Sequence, residues 1–95
     1  MSQVLRTFGR GRGSGAFQLD GPWDFAVDCD ERIVVVEMDN HRVILLDRDL
    51  TLLRVLLTKD DDNIVGPRRC WFIPETKTLL IGLNGNVNVY DLSSV

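Results

Sequence analysis

The sequence predicts an all-β fold made of short antiparallel strands. Its apolar runs are short and rich in Val, Ile and Leu, and turn residues separate them. No segment shows the apolar spacing of an amphipathic helix. The chain also repeats itself, because the stretch that begins at Pro22 aligns with the stretch that begins at Pro67. With 95 residues the chain allows one small domain with a limited core.

Taken in order, the apolar runs and the turn residues between them predict eight strands. A Gly-rich loop from Gly9 to Gly21 separates the first strand from the second, and a polar loop over Thr58–Gly66 separates the fifth from the sixth. The predicted strands are Val4–Phe8, Trp23–Asp28, Ile33–Glu37, Arg42–Asp47, Leu52–Leu57, Arg68–Ile73, Thr78–Leu83 and Asn86–Leu92.

The internal repeat predicts how these strands are grouped. GPWDFAVDCDERIVVVEMDNHRVILLD aligns with GPRRCWFIPETKTLLIGLNGNVNVYD, at a spacing typical of four-stranded propeller blades. We therefore interpret residues 1–8 as the outer strand of a preceding blade, 22–57 as a complete blade, and 67–92 as three strands of a final blade. Two such units leave apolar faces exposed, so we expect further blades or self-association, and three copies would supply six units.

Composition and charge exclude several classes of function. The formal net charge is −3, so there is no overall basic field for nucleic acid or an anionic membrane. The apolar runs are too short to span a bilayer. Cys29 and Cys70 lack the CxxC spacing of zinc sites, and we interpret them as reduced thiols of a cytoplasmic protein. Cys70 lies in an apolar strand and is expected to be a core thiol. No cofactor is predicted.

The stretch EMDNHRVILLD places four polar residues, Asp39, Asn40, His41 and Arg42, between two apolar runs. A zinc site needs three or four converging ligands, whereas the sequence contains one His in all. Asp and Asn are common in turns, and the same place in the second unit holds Asn84-Gly85, a strong hairpin signal. The pattern therefore predicts a structural turn. An alternative role for Arg42 is to cross to a neighbouring blade and pair with a carboxylate such as Asp28 or Asp39.

The first unit resembles an NHL repeat. The resemblance rests on Phe8-Gly9, Phe17, Pro22, Val27-Asp28 and the run Asp39–Arg42 before an apolar strand. The second unit keeps Pro67 and the sequence VNVYD but replaces the Asp-Asn-His-Arg group, and the end of the chain is similar to the last blade of invertebrate tripartite-motif (TRIM) proteins. The resemblance implies an NHL-type six-bladed β-propeller that recognises proteins or RNA beside a RING ubiquitin ligase. The two Cys and one His of this chain cannot form a RING.

The candidate partner-binding residues are arginines near the loops between units and the two tryptophans. A protein partner is the leading hypothesis, with the tryptophans either packed between blades or exposed as anchors. RNA binding through the arginines is the second hypothesis. The candidates are Arg6, Arg10, Arg12, Arg68, Arg69, Trp23 and Trp71.

Two further chemistries fit the sequence poorly. The acidic run Asp60–Asp62 lacks the central Gly and closing Glu of an EF-hand, so it predicts an acidic loop without calcium. Some NHL-like propellers are metal-dependent lyases, which use several His residues from different blades. The single His41 argues against that alternative.

Overall fold

The computed structural model describes residues 22–95, with side chains described from Asp24 onward. The predicted strand Val4–Phe8 and the loop Gly9–Gly21 lie outside the described residues. Seven strands and one helical turn follow each other along the described chain. They are β1 Pro22–Val27, β2 Ile33–Glu37, β3 Arg42–Leu46, β4 Leu52–Thr58, α1 Lys59–Asp62, β5 Arg69–Ile73, β6 Thr78–Gly82 and β7 Val87–Asp91. The all-β prediction is confirmed. Each end of the seven described strands lies within one residue of its predicted position.

The strands form two antiparallel sheets, each a simple meander. The first sheet has the order β1-β2-β3-β4 and the second has the order β5-β6-β7. Consecutive strands pair in each sheet because the connections between them are tight turns. The first strands of the two sheets, β1 and β5, lie next to each other. The described strands thus form one group of four followed by one group of three, as predicted.

The turns β1–β2 and β3–β4 share one construction around an aspartate. The Oδ1 atom of Asp28 accepts hydrogen bonds from the N–H groups of Asp30 and Arg32, and the Oδ1 atom of Asp47 accepts from Asp49 and Thr51. An aspartate that bonds the main chain of its own turn is a common turn-forming device. The same turn is therefore used twice within one sheet.

The equivalent β5–β6 turn in the second sheet begins with Pro74, which has no carboxylate. Its backbone still follows the same course, since Lys77 has a positive φ of 51° where Glu31 has 62° in the β1–β2 turn. The carbonyl of Pro74 accepts the N–H of Lys77 at 3.4 Å, and that of Asp28 accepts the N–H of Glu31 at 3.2 Å. The two turns thus have similar backbone conformations although their sequences match weakly.

The turn between β2 and β3 is built on the buried carboxylate of Glu37. This side chain is fully buried, and its Oε1 accepts from Nε of Arg42 at 2.9 Å while its Oε2 accepts from the amide of Asn40 at 2.6 Å. Glu37 and Arg42 are cross-strand partners in the hairpin register. The alternative in which Arg42 pairs with Asp28 or Asp39 is wrong. The hairpin already places a carboxylate opposite Arg42, within the same sheet.

His41 connects this turn to the start of the second sheet. It has a positive φ of 49° and its N–H bonds the carbonyl of Met38, which closes a four-residue turn. Its Nδ1 accepts the backbone N–H of Gly66 at 2.8 Å. The group Asp39–Arg42 is therefore a turn, as predicted, and it also fixes the residues that lead into β5.

The main core lies between the two sheets. Strand side chains alternate between faces, so the first sheet sends one set towards the second sheet and the other set away from it. The inward set packs against Cys70, Leu79 and Ile81 of the second sheet. The inward residues of the first sheet are Val34, Val36, Val43, Leu45 and Leu57. A second cluster, Val35, Ile44 and Leu46, occupies the opposite face of the first sheet.

The segment Thr58–Gly66 differs from the predicted loop because it contains α1. Oγ1 of Thr58 accepts the N–H of Asp61, and Asp62 accepts the N–H of Thr58 through its side chain, which is a reciprocal capping arrangement. The helix is one turn long and buries none of its residues. Among the described residues no helix is long and apolar enough to cross a membrane.

Replacing Arg42 with Leu should strongly destabilise the chain, because it removes the cation that bonds the buried carboxylate of Glu37 at 2.9 Å. The expected loss in the free energy of unfolding is about 3 kcal/mol or more. The matched control is Arg48→Leu, which removes the exposed ion pair between Arg48 and Glu31 at 2.7 Å. Urea unfolding followed by circular dichroism should show a large loss for the first variant and little change for the second. Equal effects would contradict a central role for Glu37.

Candidate functional site

An open hollow of about 450 Å³ lies where β1 and β5 run beside each other. We call it the β1–β5 hollow. Its lining is mostly apolar and carries one acidic and one basic side chain, a composition that suits a protein contact. The residues that line it are Asp24, Phe25, Arg69, Cys70, Trp71, Leu80, Gly82 and Val87.

Strand β5 places its residues alternately on the two faces of the second sheet. Cys70 points into the core, whereas Trp71 is 69% exposed and points the other way. Arg69 is also exposed and pairs with Gly82 on β6. A Cβ atom at Gly82 would lie 3.4 Å from Cβ of Arg69, so the glycine gives this arginine close access to the sheet backbone.

Asp24 joins the two sheets at the base of the hollow. Its Oδ2 accepts the backbone N–H of Cys70 at 2.9 Å, and its Oδ1 accepts the N–H of Phe25 at 2.9 Å. The bond to Cys70 crosses from β1 to β5 and satisfies a main-chain donor at the start of the second sheet. Sequence reasoning missed Asp24. The available signal was an acidic residue within an otherwise apolar first strand.

The structure brings together only some of the predicted partner-binding residues. Arg69 and Trp71 line the β1–β5 hollow, and Arg68 is exposed just before β5 with its N–H bonded to the carbonyl of Gly82. The sequence left two alternatives for the tryptophans, packed between blades or exposed as anchors, and Trp71 is exposed. Trp23 lies on β1, but its side chain is outside the described part. Arg6, Arg10 and Arg12 are also outside the described residues.

The polar group Asp39–Arg42 forms structural hydrogen bonds in this structure. Asn40 and Arg42 bond Glu37, and Nδ1 of His41 accepts from Gly66. Within the described range 22–95, no group of three or more His, Cys, Asp or Glu residues is arranged to hold a metal ion. The sequence-based interpretation of this stretch as a turn stands, and Glu37 is the residue that interpretation missed.

The two thiols differ in environment, as the sequence predicted. Cys70 is buried, and burial together with the nearby charge of Asp24 raises the pKa of its thiol from 9.0 to about 12. Cys29 is exposed in the turn after β1. A thiol with so high a pKa carries almost no thiolate near neutral pH, so Cys70 has the properties of a core residue and not of a nucleophile.

Comparison with known proteins leaves the structural observations to stand alone. No protein-family model matches the chain, and no curated protein matches it significantly. The fold and the β1–β5 hollow are therefore the basis on which a function is proposed.

The difference between the two cysteines predicts their reaction with iodoacetamide near neutral pH. Mass spectrometry should show one label on the native chain, at Cys29, and two labels after denaturation. Cys29→Ser should take up no label until it unfolds, and Cys70→Ser should label as the native chain does. Equal labelling of both cysteines in the native chain would contradict the burial of Cys70.

The same pKa predicts how stability depends on pH at the alkaline end. Because the folded pKa of Cys70 lies above its ordinary value of 9.0, the folded chain holds a proton that the unfolded chain loses between pH 9.0 and about 12. The free energy of unfolding should therefore fall as the pH rises through this range. Cys70→Ala should reduce that slope in urea titrations, whereas Cys29→Ala should leave it unchanged.

Proposed function

We propose that the chain is a non-catalytic protein-interaction module that contributes two consecutive blades to an NHL-type β-propeller. The support is structural and internal. Both sheets are antiparallel meanders, their turns follow the same backbone path, and β1 and β5 lie side by side as the innermost strands of neighbouring blades would. The Asp-Asn-His-Arg turn of the NHL-like sequence has a structural role that fits a repeat signature.

The observation that carries the interaction role is the exposure of large apolar side chains around the β1–β5 hollow. Trp71 is 69% exposed, Phe25 is 58% exposed, and Arg69 lies beside them. Trp and Arg are enriched among the residues that dominate the binding energy of protein interfaces. Contiguous exposed apolar surface on a small protein is typical of a binding site.

Within this proposal the module selects a protein partner, as the substrate-recognition end of a TRIM-like ubiquitin ligase would. The ligase step itself would need the Cys/His clusters of a RING, and the sequence has two Cys and one His. The residues of this chain therefore contribute recognition, through apolar contact at Trp71 and Phe25 and charge at Arg69 and Asp24.

A selection from a random peptide library displayed on phage would test the interaction role. The chain is immobilised sparsely, and selected peptides are measured against variants. Binding to Trp71→Ser should weaken about tenfold or more, because a central aromatic anchor is lost. The matched control is Val65→Ser, which removes an apolar side chain that is 50% exposed outside the hollow. Peptides that bind both variants equally, or a selection that yields none, would contradict the proposal.

RNA binding is a second candidate because exposed arginines and an exposed aromatic occur together. Arg68 and Arg69 lie just before Trp71, and aromatic stacking beside cationic side chains is how many proteins hold single-stranded nucleic acid. The carboxylate of Asp24 in the same hollow and the net charge of −3 oppose phosphate binding. These charges place this candidate second.

Fluorescence anisotropy with a labelled single-stranded RNA separates the two candidates. If RNA is the ligand, affinity should fall steeply with salt, and the double change Arg68→Glu and Arg69→Glu should abolish binding. Arg54→Glu, at an exposed site on β4, is the control for charge alone. The protein-interaction proposal expects no binding to RNA at physiological salt and no dependence on Arg68.

A further inference from the structure

The first sheet has a second apolar face, which points away from the second sheet and which we call its rear face. One row of paired residues crosses this face from β1 to β4 and consists of Phe25, Val35, Ile44 and Val55. Apolar side chains on a sheet face are either covered by another part of a protein or left in contact with water. The exposed fraction of each residue in this row therefore shows where the rear face is covered.

Exposure changes sharply along this row. Val35 and Ile44, on the two central strands, are each 1% exposed. Phe25 and Val55, on the two edge strands, are 58% and 39% exposed. Leu46, which lies beyond Ile44 on β3 and belongs to the same cluster, is 2% exposed. The centre of the rear face is thus closed to solvent while its two edges are open.

The strands of the first sheet do not by themselves account for this burial. Side chains stand roughly perpendicular to a sheet, so neighbouring strands shield their sides but leave their tips open. Leu80 shows the result in the same chain, because it lies on a central strand between Trp71 and Val89 and is still partly exposed. Val35 and Ile44 have equivalent strand neighbours and are closed to solvent. We therefore infer that a further segment covers them.

The described residues supply no such cover from another element. Among the side chains of residues 24–95, the apolar ones that pack on the buried rear cluster are Ile33, Leu50 and Leu52. All three belong to the first sheet or to its β3–β4 turn. The second sheet packs on the opposite face of the first. The part of the chain that remains as a source of the cover is residues 1–21.

Residues 1–21 have the attachment, the reach and the composition that the cover requires. They join the first sheet directly, since β1 begins at Pro22. β3 lies two strand spacings from β1, about 10 Å, which roughly three or four extended residues span. A single segment laid along the sheet would cover the central strands and leave the edge strands open, as the exposure pattern shows. The segment carries large apolar side chains at Val4, Leu5, Phe8, Phe17 and Leu19.

We propose that residues 1–21 dock within the same chain on the centre of the rear face, over β2 and β3, as a strap. Apolar contact with Val35, Ile44 and Leu46 holds the strap in place. This inference goes beyond the proposed function, because it assigns the occupant of a face that the interaction role does not use at Trp71. A partner that binds the centre of the rear face would have to displace the strap, whereas a partner that binds at Trp71 would not.

Thiol labelling of the full chain tests the proposal. The reporter Ile44→Cys is combined with Cys29→Ser, so that the buried Cys70 is the one other thiol. Near neutral pH, iodoacetamide should label Ile44→Cys at least about tenfold more slowly than Val27→Cys, which lies at the open edge of the sheet. Equally rapid labelling of both reporters would overturn the proposal, because the centre of the rear face would then be open.

A polar version of residues 1–21 then identifies the cover. Its labelling of Ile44→Cys should be about tenfold faster or more, because the apolar contacts of the strap are lost. The matched control keeps the apolar residues and changes Arg6, Arg10 and Arg12 to Ser, and it should leave the reporter protected. If Ile44→Cys stays protected in the polar version, the strap is not the cover and the proposal is wrong. The polar version carries Val4→Ser, Leu5→Ser, Phe8→Ser, Phe17→Ser and Leu19→Ser.

Two further reporters separate loss of the strap from unfolding. Leu45→Cys lies in the core between the two sheets and should stay protected in the polar version. Protection of Cys70 shows that each variant is folded. Where that check fails, Leu46→Cys replaces Ile44→Cys, and the pair Phe8→Ser and Phe17→Ser replaces the full set of serines.

Light scattering at the labelling concentration distinguishes a strap from a second copy of the chain. The chain should be monomeric while Ile44→Cys is protected, and dilution should leave the labelling rate unchanged. If the chain exceeds the monomer mass and Ile44→Cys loses its protection on dilution, another copy is the cover and the proposal is overturned. Neither result changes peptide binding through Trp71, so the strap and the proposed function fail separately.

Discussion

The buried ion pair between Glu37 and Arg42 is the interaction on which the described fold depends most. A carboxylate removed from water is costly unless a cation and hydrogen bonds surround it, and here Arg42 and Asn40 supply both. Because Glu37 and Arg42 are opposed in the β2–β3 register, a slip of one residue would separate the charges. The pair therefore fixes the register of the two central strands of the first sheet.

The same β2–β3 turn also positions the segment that leads into the second sheet. Once Arg42 is held, His41 takes a left-handed backbone conformation and its Nδ1 receives the N–H of Gly66. A second connection crosses near the other end, where Asp24 accepts the N–H of Cys70. Two polar contacts, each satisfying a main-chain donor, thus set the position of β5 against the first sheet. The apolar core between the sheets supplies the bulk of the attraction but has no such directionality.

This arrangement also explains why the exposed surface is where it is. A meander sheet has two apolar faces whenever both sets of alternating residues are apolar, and packing one sheet on another covers the two faces between them. The opposite face of the first sheet is also buried at Val35, Ile44 and Leu46. In the second sheet the uncovered set includes Trp71 and Val89, and in the first it includes Phe25 and Val27. Phe25 and Trp71 line the β1–β5 hollow, so the proposed interaction role follows from this incomplete packing.

The sequence by itself determined the strands, the turns and their grouping into two units. Val- and Ile-rich runs have few alternatives to extended structure, and the turn at Asn40-His41 and its counterpart at Asn84-Gly85 depend only on neighbouring residues. The burial of Cys70 was also predictable, from the apolar strand that contains it. The short helix α1 was missed because its capping residues, Thr58 and Asp62, stabilise only one turn and leave no apolar period to detect.

The tertiary structure alone decided which charges meet and which apolar residues stay exposed. Arg42 had several carboxylates within reach by sequence, and only the hairpin register selected Glu37. The role of Asp24 depends on β5 lying beside β1, a contact between residues far apart in the chain. Likewise the internal repeat aligns Ala26 with Trp71, yet Trp71 is exposed whereas Ala26 packs on the core. Alternation assigns a residue to a face, but only the packing of one sheet on another determines whether that face is covered.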